Sequence, residues 1–211
     1  MVSADGPVPA HPLLSTLYRV PLGVLVFVAM VVQFVHSADL PGWDPVNFTS
    51  FFTVQSNVLA ASLFLLGATV WRRRSRPTID SWRGAAVVYM VVTGLVYAVL
   101  LSGLEAQLQT PLPWVNTVLH RVMPIAVALD WLIVPPGARL GFRRAARWLI
   151  FPTAWLVYTL VRGPIADWYP YPFVDVAAKG YLSVALSCIG IAALFLALIW
   201  AVVKLGDLRA P

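Results

Sequence analysis

Six apolar stretches alternate with short polar gaps, and the arginines fall in every second gap. The stretches cover residues 13–36, 46–71, 83–102, 114–134, 145–162 and 177–204. A helix needs about 20 residues to cross the hydrocarbon core of a bilayer. Only helices and closed barrels satisfy their own backbone there. The pattern predicts an all-α, polytopic membrane protein, a bundle of six transmembrane helices. Composition agrees, since 60% of the 211 residues are hydrophobic and 11% are charged. A soluble domain carries about 25% charged residues, so this chain has too little charge to cover a water-facing surface.

Arginine placement predicts orientation. Arg72, Arg73, Arg74, Arg76 and Arg83 separate the second and third stretches, and Arg139, Arg143, Arg144 and Arg147 the fourth and fifth. Lys204 and Arg209 close the chain, whereas the gap at 37–45 carries only Asp39 and Asp44, and that at 103–115 only Glu105. The positive-inside rule then places both termini in the cytoplasm of a multi-pass plasma (inner) membrane protein. Trp43, Trp114 and Trp168 mark the outer ends of spans, and Trp71, Trp82, Trp148 and Trp200 the inner ends. Residues 1–12, with Gly6, Pro7, Pro9 and Pro12, read as a disordered tail, 13–204 as the transmembrane domain and 205–211 as a short tail. The first stretch exceeds the 7–15 apolar residues of a signal-peptide core and reads as an uncleaved helix. The net charge of +6 flanks apolar spans instead of lining a solvated face, so the expected partners are membrane lipids and not nucleic acid.

Polar groups inside spans are costly and are functional candidates. Thr49, Thr53, Ser56 and Asn57 recur every three or four residues and would form one helical stripe. In the fourth stretch Asn116 and His120 share a face, with Thr117 and Arg121 on the neighbouring strip. At 1.5 Å per residue, Thr53 and His120 would both lie roughly 9–12 Å below the outer boundary. A hydroxyl and an imidazole at one depth outline a nucleophile and its base. Arg121, Asn57 or Asn116 would then hold an oxyanion. Helix-to-helix hydrogen bonding explains the same polar stripe without chemistry, and both readings stay open at this point. Asp130, deeper along the fourth stretch, has Arg19 as its expected partner, while Arg162 would meet Glu105, Asp167 or Asp175. Gly94, Gly103, Gly180 and Gly190 would ease helix contacts. Three dispersed histidines and a lone Cys188 predict no metal site, and no nucleotide, phosphate or haem motif predicts a cofactor.

Three short motifs carry a resemblance to a known family. "FFT" at 51–53 ends on Thr53, "NTVLH" at 116–120 sets Asn116 four before His120 with Pro124 following, and "YPYPF" spans 169–173. In these the chain resembles the androgen-induced family of multi-span membrane hydrolases, and more closely its bacterial integral-membrane relatives. The resemblance implies a threonine nucleophile at Thr53, a histidine partner at His120 and cleavage of an ester bond in an amphiphilic, lipid-like substrate. Tyr171, Pro172 and Phe173 would form the substrate entrance, although prolines and aromatics also end and anchor helices. The chain departs from the animal branch in a shorter His120–Pro124 spacing and in the polar residues after Thr53, so the substrate is not carried over. Two other classes remain alongside: a transporter or lipid-binding protein that recognises a headgroup without cleaving it, and an accessory protein acting through helix packing.

Overall fold

The computed structural model describes residues 12–69, 77–104, 108 and 112–210, and every regular element among them is helical. The elements are α1 (Pro12–Ala38), α2 (Pro45–Ser50), α3 (Phe52–Thr69) and α4 (Pro77–Val96, running on as a π turn, Tyr97–Leu101). Next comes α5, in three continuous segments: Pro113–Thr117, the π turn Val118–Val122 and Met123–Ile133. Then α6 joins Phe142–Ala145, the 3-10 turn Ala146–Leu149 and Ile150–Ala166; a 3-10 turn, Pro172–Val174, leads into α7 (Val176–Arg209).

Four of these helices are long and apolar enough to cross a membrane: Leu14–Ala38, Pro77–Leu101, Phe142–Ala166 and Val176–Arg209. Leu17, Val99 and Ile165 are each more than 70% exposed along them. Such a surface fits a helical membrane protein, because lipid removes the penalty water would impose. The stretches expected at 46–71 and 114–134 are instead interrupted helices. Phe51 is extended (φ −65°, ψ 129°) and separates α2 from α3. In α5, Pro124 cannot donate to the His120 carbonyl four residues earlier. The turn widens there, and the Met123 N–H reaches the Val118 carbonyl. At the other end, α7 passes residue 204 and takes in most of the expected tail. Residues 1–11 of the expected N-terminal tail lie outside the described residues, as do Trp71, Arg72, Arg73, Arg74, Arg76 and Glu105.

Helix α4 is the centre of the bundle. Gly84, Ala85, Ala86, Val87, Val88, Tyr89 and Met90 are buried in unbroken succession, as expected of a helix surrounded on all sides. It packs against α3, α5 and α7, while α1 lies along α3. Small residues permit these approaches: a Cβ on Gly94 would come within 3.1 Å of the His120 carbonyl oxygen and of Pro124 Cβ. Gly180 and Gly190 face open space instead, and Gly180 (φ 74°) marks a kink in α7.

One end of the bundle is closed by a buried charge cluster. Asp130 Oδ1 accepts from Arg19 Nε and from the Tyr18 hydroxyl, each at 2.6 Å, and Oδ2 accepts from Arg83 at 3.0 Å. Arg83 also donates to Asp80 (3.1 Å) and to the Val134 carbonyl (2.6 Å). The expected Arg19–Asp130 pair is therefore part of a two-arginine, two-aspartate network tying α1, α4 and α5. Arg162 departs from expectation. It donates to Asn47 Oδ1 at 2.7 Å, approaches Asp44 at 3.8 Å and lies over the Trp168 ring, so it clamps α2 to α6.

Candidate active site

The break at Phe51 makes Thr53 the second residue of α3, in the first turn, whose backbone N–H groups have no intrahelical acceptor. Tyr171, in the loop between α6 and α7, supplies one. Its phenolic oxygen accepts from the Thr53 N–H at 3.1 Å and lies 3.2 Å from Thr53 Oγ1. On the other side of that hydroxyl is His120 Nε2, at 3.3 Å. All three side chains are buried.

Proton directions follow from the partners. His120 Nδ1 is 3.2 Å from the Asn116 carbonyl oxygen. A carbonyl only accepts, so Nδ1 carries the hydrogen and Nε2 presents its lone pair to Thr53. Thr53 Oγ1 then donates to Nε2, and the Tyr171 hydroxyl donates to Oγ1. The π turn in α5 presents the His120 ring, which stacks on Tyr97 with centroids 4.1 Å apart and planes 16° apart. Tyr97 opens the second π turn, so two widened turns face each other at this point. Burial pushes the Tyr171 phenol above its ordinary pKa, which holds it as a proton donor.

Two cavities meet here. The larger, of about 280 Å³, is lined by Gln33, Ser37, Asn47, Asn116, His120 and Thr53, among others. An apolar one of about 130 Å³ lies among α3, α4, α6 and α7, against Val92, Val96, Leu156, Phe173 and Ile191. Thr53, Leu101 and Tyr171 line both. A bond held at Thr53 would have a cavity with several polar side chains on one side and an apolar slot on the other.

The remaining residues singled out in the sequence fall differently. Asn57 donates to the carbonyls of Thr53 (2.9 Å) and Leu119 (3.2 Å). The first bond stays within α3 and the second ties α3 to α5, so neither N–H is left for an oxyanion. Asn116 is among the residues lining the larger cavity, and its backbone oxygen orients His120. Arg121 is exposed and lines neither cavity, because it follows His120 by one residue on the outward side of α5. Thr49 is exposed on α2 and donates to the carbonyls of Pro45 and Val46, so the stripe starts at Thr53. Phe173 stacks on Tyr171 (5.2 Å, 7°) and lines the apolar cavity, and Pro172 opens the 3-10 turn beneath. Tyr171 is not only at the entrance; it touches the candidate nucleophile. Gln33 and Ser37 were not among the residues singled out in the sequence, although Gln33 lies inside the first apolar stretch and Ser37 follows it by one helical turn. Tyr97 had no such signal. Comparison with protein-family models, curated proteins and solved structures finds no match to this chain.

Proposed function

We propose that this chain is a six-span plasma-membrane protein with both termini cytoplasmic. In this reading it hydrolyses ester bonds in amphiphilic, lipid-like substrates near the outer leaflet. The two spans beyond the four long helices are the interrupted ones, α2–α3 and α5, which carry Thr53 and His120. The observation that carries the reading is the 3.3 Å separation of Thr53 Oγ1 and His120 Nε2 where the two cavities join. The motifs around Thr53, His120 and Tyr171 support kinship with the androgen-induced family in the same residues.

In this scheme Nε2 takes the hydroxyl proton as Oγ1 bonds to the ester carbonyl carbon, and the carbonyl electron pair moves to oxygen. The Tyr171 O–H, no longer needed at Oγ1, donates to that oxyanion. Collapse breaks the carbon–alcohol bond, and the departing alcohol takes the proton from Nε2. Water, deprotonated by His120, then cleaves the acyl-threonine and restores the hydroxyl. The first-turn position of Thr53 adds the positive end of the α3 dipole where negative charge develops.

An alkyl fluorophosphonate is expected to add covalently to Thr53, read by intact mass and peptide mapping. The interrupted α2–α3 helix and the π turns favour one second reading, a binding or transport site built on broken helices. A chain that binds a long-chain ester reversibly and forms no adduct supports that reading instead. Tyr171→Phe keeps the ring against Phe173 and removes the donor. Its kcat for 4-nitrophenyl octanoate should fall roughly 10²-fold, the usual loss for one oxyanion donor, with KM within about threefold. An unchanged kcat would assign the phenol to capping α3 alone.

A further inference from the structure

A second site lies at the opposite end of the bundle, between the beginnings of α4 and α6. There a groove of about 730 Å³ separates the two helices. Its walls change character along its length. One end holds Arg144, Arg147, Thr78 and Ser81, and the other Tyr89 and Phe151. Trp82 on one wall is 51% exposed and Ile150 on the other is 67% exposed, so the groove opens sideways to the bundle's surroundings.

Local structure explains the arginine pair. Arg144 lies in the α-helical turn Phe142–Ala145 and Arg147 in the 3-10 turn Ala146–Leu149 that continues it. Residues three apart on a helix are neighbours on one face, and both arginines line the groove. Neither guanidinium makes a hydrogen bond or ion pair with another described residue, in contrast to Arg19, Arg83 and Arg162. The apolar wall is held rigid by anchors of its own. The Tyr89 hydroxyl donates to the Trp148 carbonyl at 2.6 Å, Trp148 Nε1 donates to Ser81 at 3.0 Å, and Tyr89 packs on Phe151 with centroids 5.2 Å apart. A Cβ on Gly84 would overlap Trp148, so that glycine lets the Trp148 ring lie flush with α4.

We propose that this groove binds one anionic phospholipid, its phosphate on Arg144 and Arg147 and an acyl chain along Tyr89, Phe151 and Ala154. Among the described residues no acidic side chain lines the groove, so the two cations face a space that a phosphate diester matches in charge and fork geometry. The apolar continuation distinguishes a lipid from a free anion, since inorganic phosphate would leave the Tyr89–Phe151 end unfilled. This site is separate from Thr53 and His120 and does not depend on ester chemistry there.

The test uses the full chain in uncharged maltoside micelles, with native mass spectrometry and thermal unfolding as readouts. Dioleoyl phosphatidylglycerol should be retained as a one-to-one adduct and raise the unfolding temperature. Dioleoyl phosphatidylcholine and glycerol 3-phosphate should each bind at least tenfold more weakly. Arg144→Gln with Arg147→Gln should weaken phosphatidylglycerol roughly 30-fold, from two cations each acting near a membrane surface. Arg139→Gln with Arg143→Gln removes equal charge from exposed positions outside the groove and should change affinity less than twofold. Ala154→Trp fills the apolar end and should weaken the lipid but not glycerol 3-phosphate. Equal losses in the two double variants would replace the site with a diffuse positive field and overturn the proposal. Equal binding of both lipids, or glycerol 3-phosphate binding as well as phosphatidylglycerol, would overturn it too. If the Arg144/Arg147 variant does not fold, the lipid comparison and Ala154→Trp decide alone.

Discussion

Thr53→Ala and His120→Gln are each expected to lower turnover of 4-nitrophenyl octanoate by at least roughly 10³-fold, and the double variant to fall no further. Residues acting as one nucleophilic unit are not additive, since losing either removes the step that both perform. His120→Gln keeps most of the volume stacked against Tyr97 and offers no basic nitrogen to Thr53 Oγ1. Thr53→Ser restores the hydroxyl and should recover part of the rate, an outcome that hydrogen-bonding glue alone does not predict for turnover. Unfolding measured alongside separates chemistry from folding. Thr53 loses side-chain bonds to His120 and Tyr171, worth about 1 kcal/mol each, and that is too little to abolish activity through instability. Wild-type turnover in His120→Gln would remove the imidazole from the mechanism.

Asp130→Ala should be the most destabilising single change in the bundle. The carboxylate accepts from Arg19, Arg83 and Tyr18 and is 4% exposed. Removing it leaves two buried guanidinium groups near each other, with Asp80 the one carboxylate among the described residues still paired to either. Breaking a buried pair from one side costs about 3–5 kcal/mol, more than the net worth of the pair, because the remaining charge is stranded. For a chain of this size that is on the order of 10 °C in unfolding temperature, read in detergent with the wild type beside it. A shift of a degree or two would mean that water already shares the cluster and that the arginines do not depend on Asp130. Because the cluster sits at the opposite end of α5 from His120, its loss should lower stability without altering the KM of whatever protein stays folded.

Helical class was legible from apolar run length and arginine placement, because the bilayer permits so few backbone solutions. Thr53 and His120 were legible as well. A hydroxyl and an imidazole inside apolar runs are exceptions that sequence makes visible, as is Asp130 with Arg19. The rest depended on where helices stop. Phe51 is an ordinary apolar residue in the sequence, yet its extended backbone ends α2 and puts Thr53 in the first turn of a new helix. That break exposes the N–H which the Tyr171 phenol accepts. A tyrosine 118 positions away, in a motif that also reads as a headgroup anchor, thereby becomes a partner of Thr53. Arg121 shows the converse: next to His120 in the chain, it points outward because consecutive residues on a helix project in different directions. Chain order determined which polar groups enter the bundle and at what depth. Which of them touch was decided only by packing, since contacts between helices depend on kinks, widened turns and small residues such as Gly94, whose effects appear only when the helices are brought together.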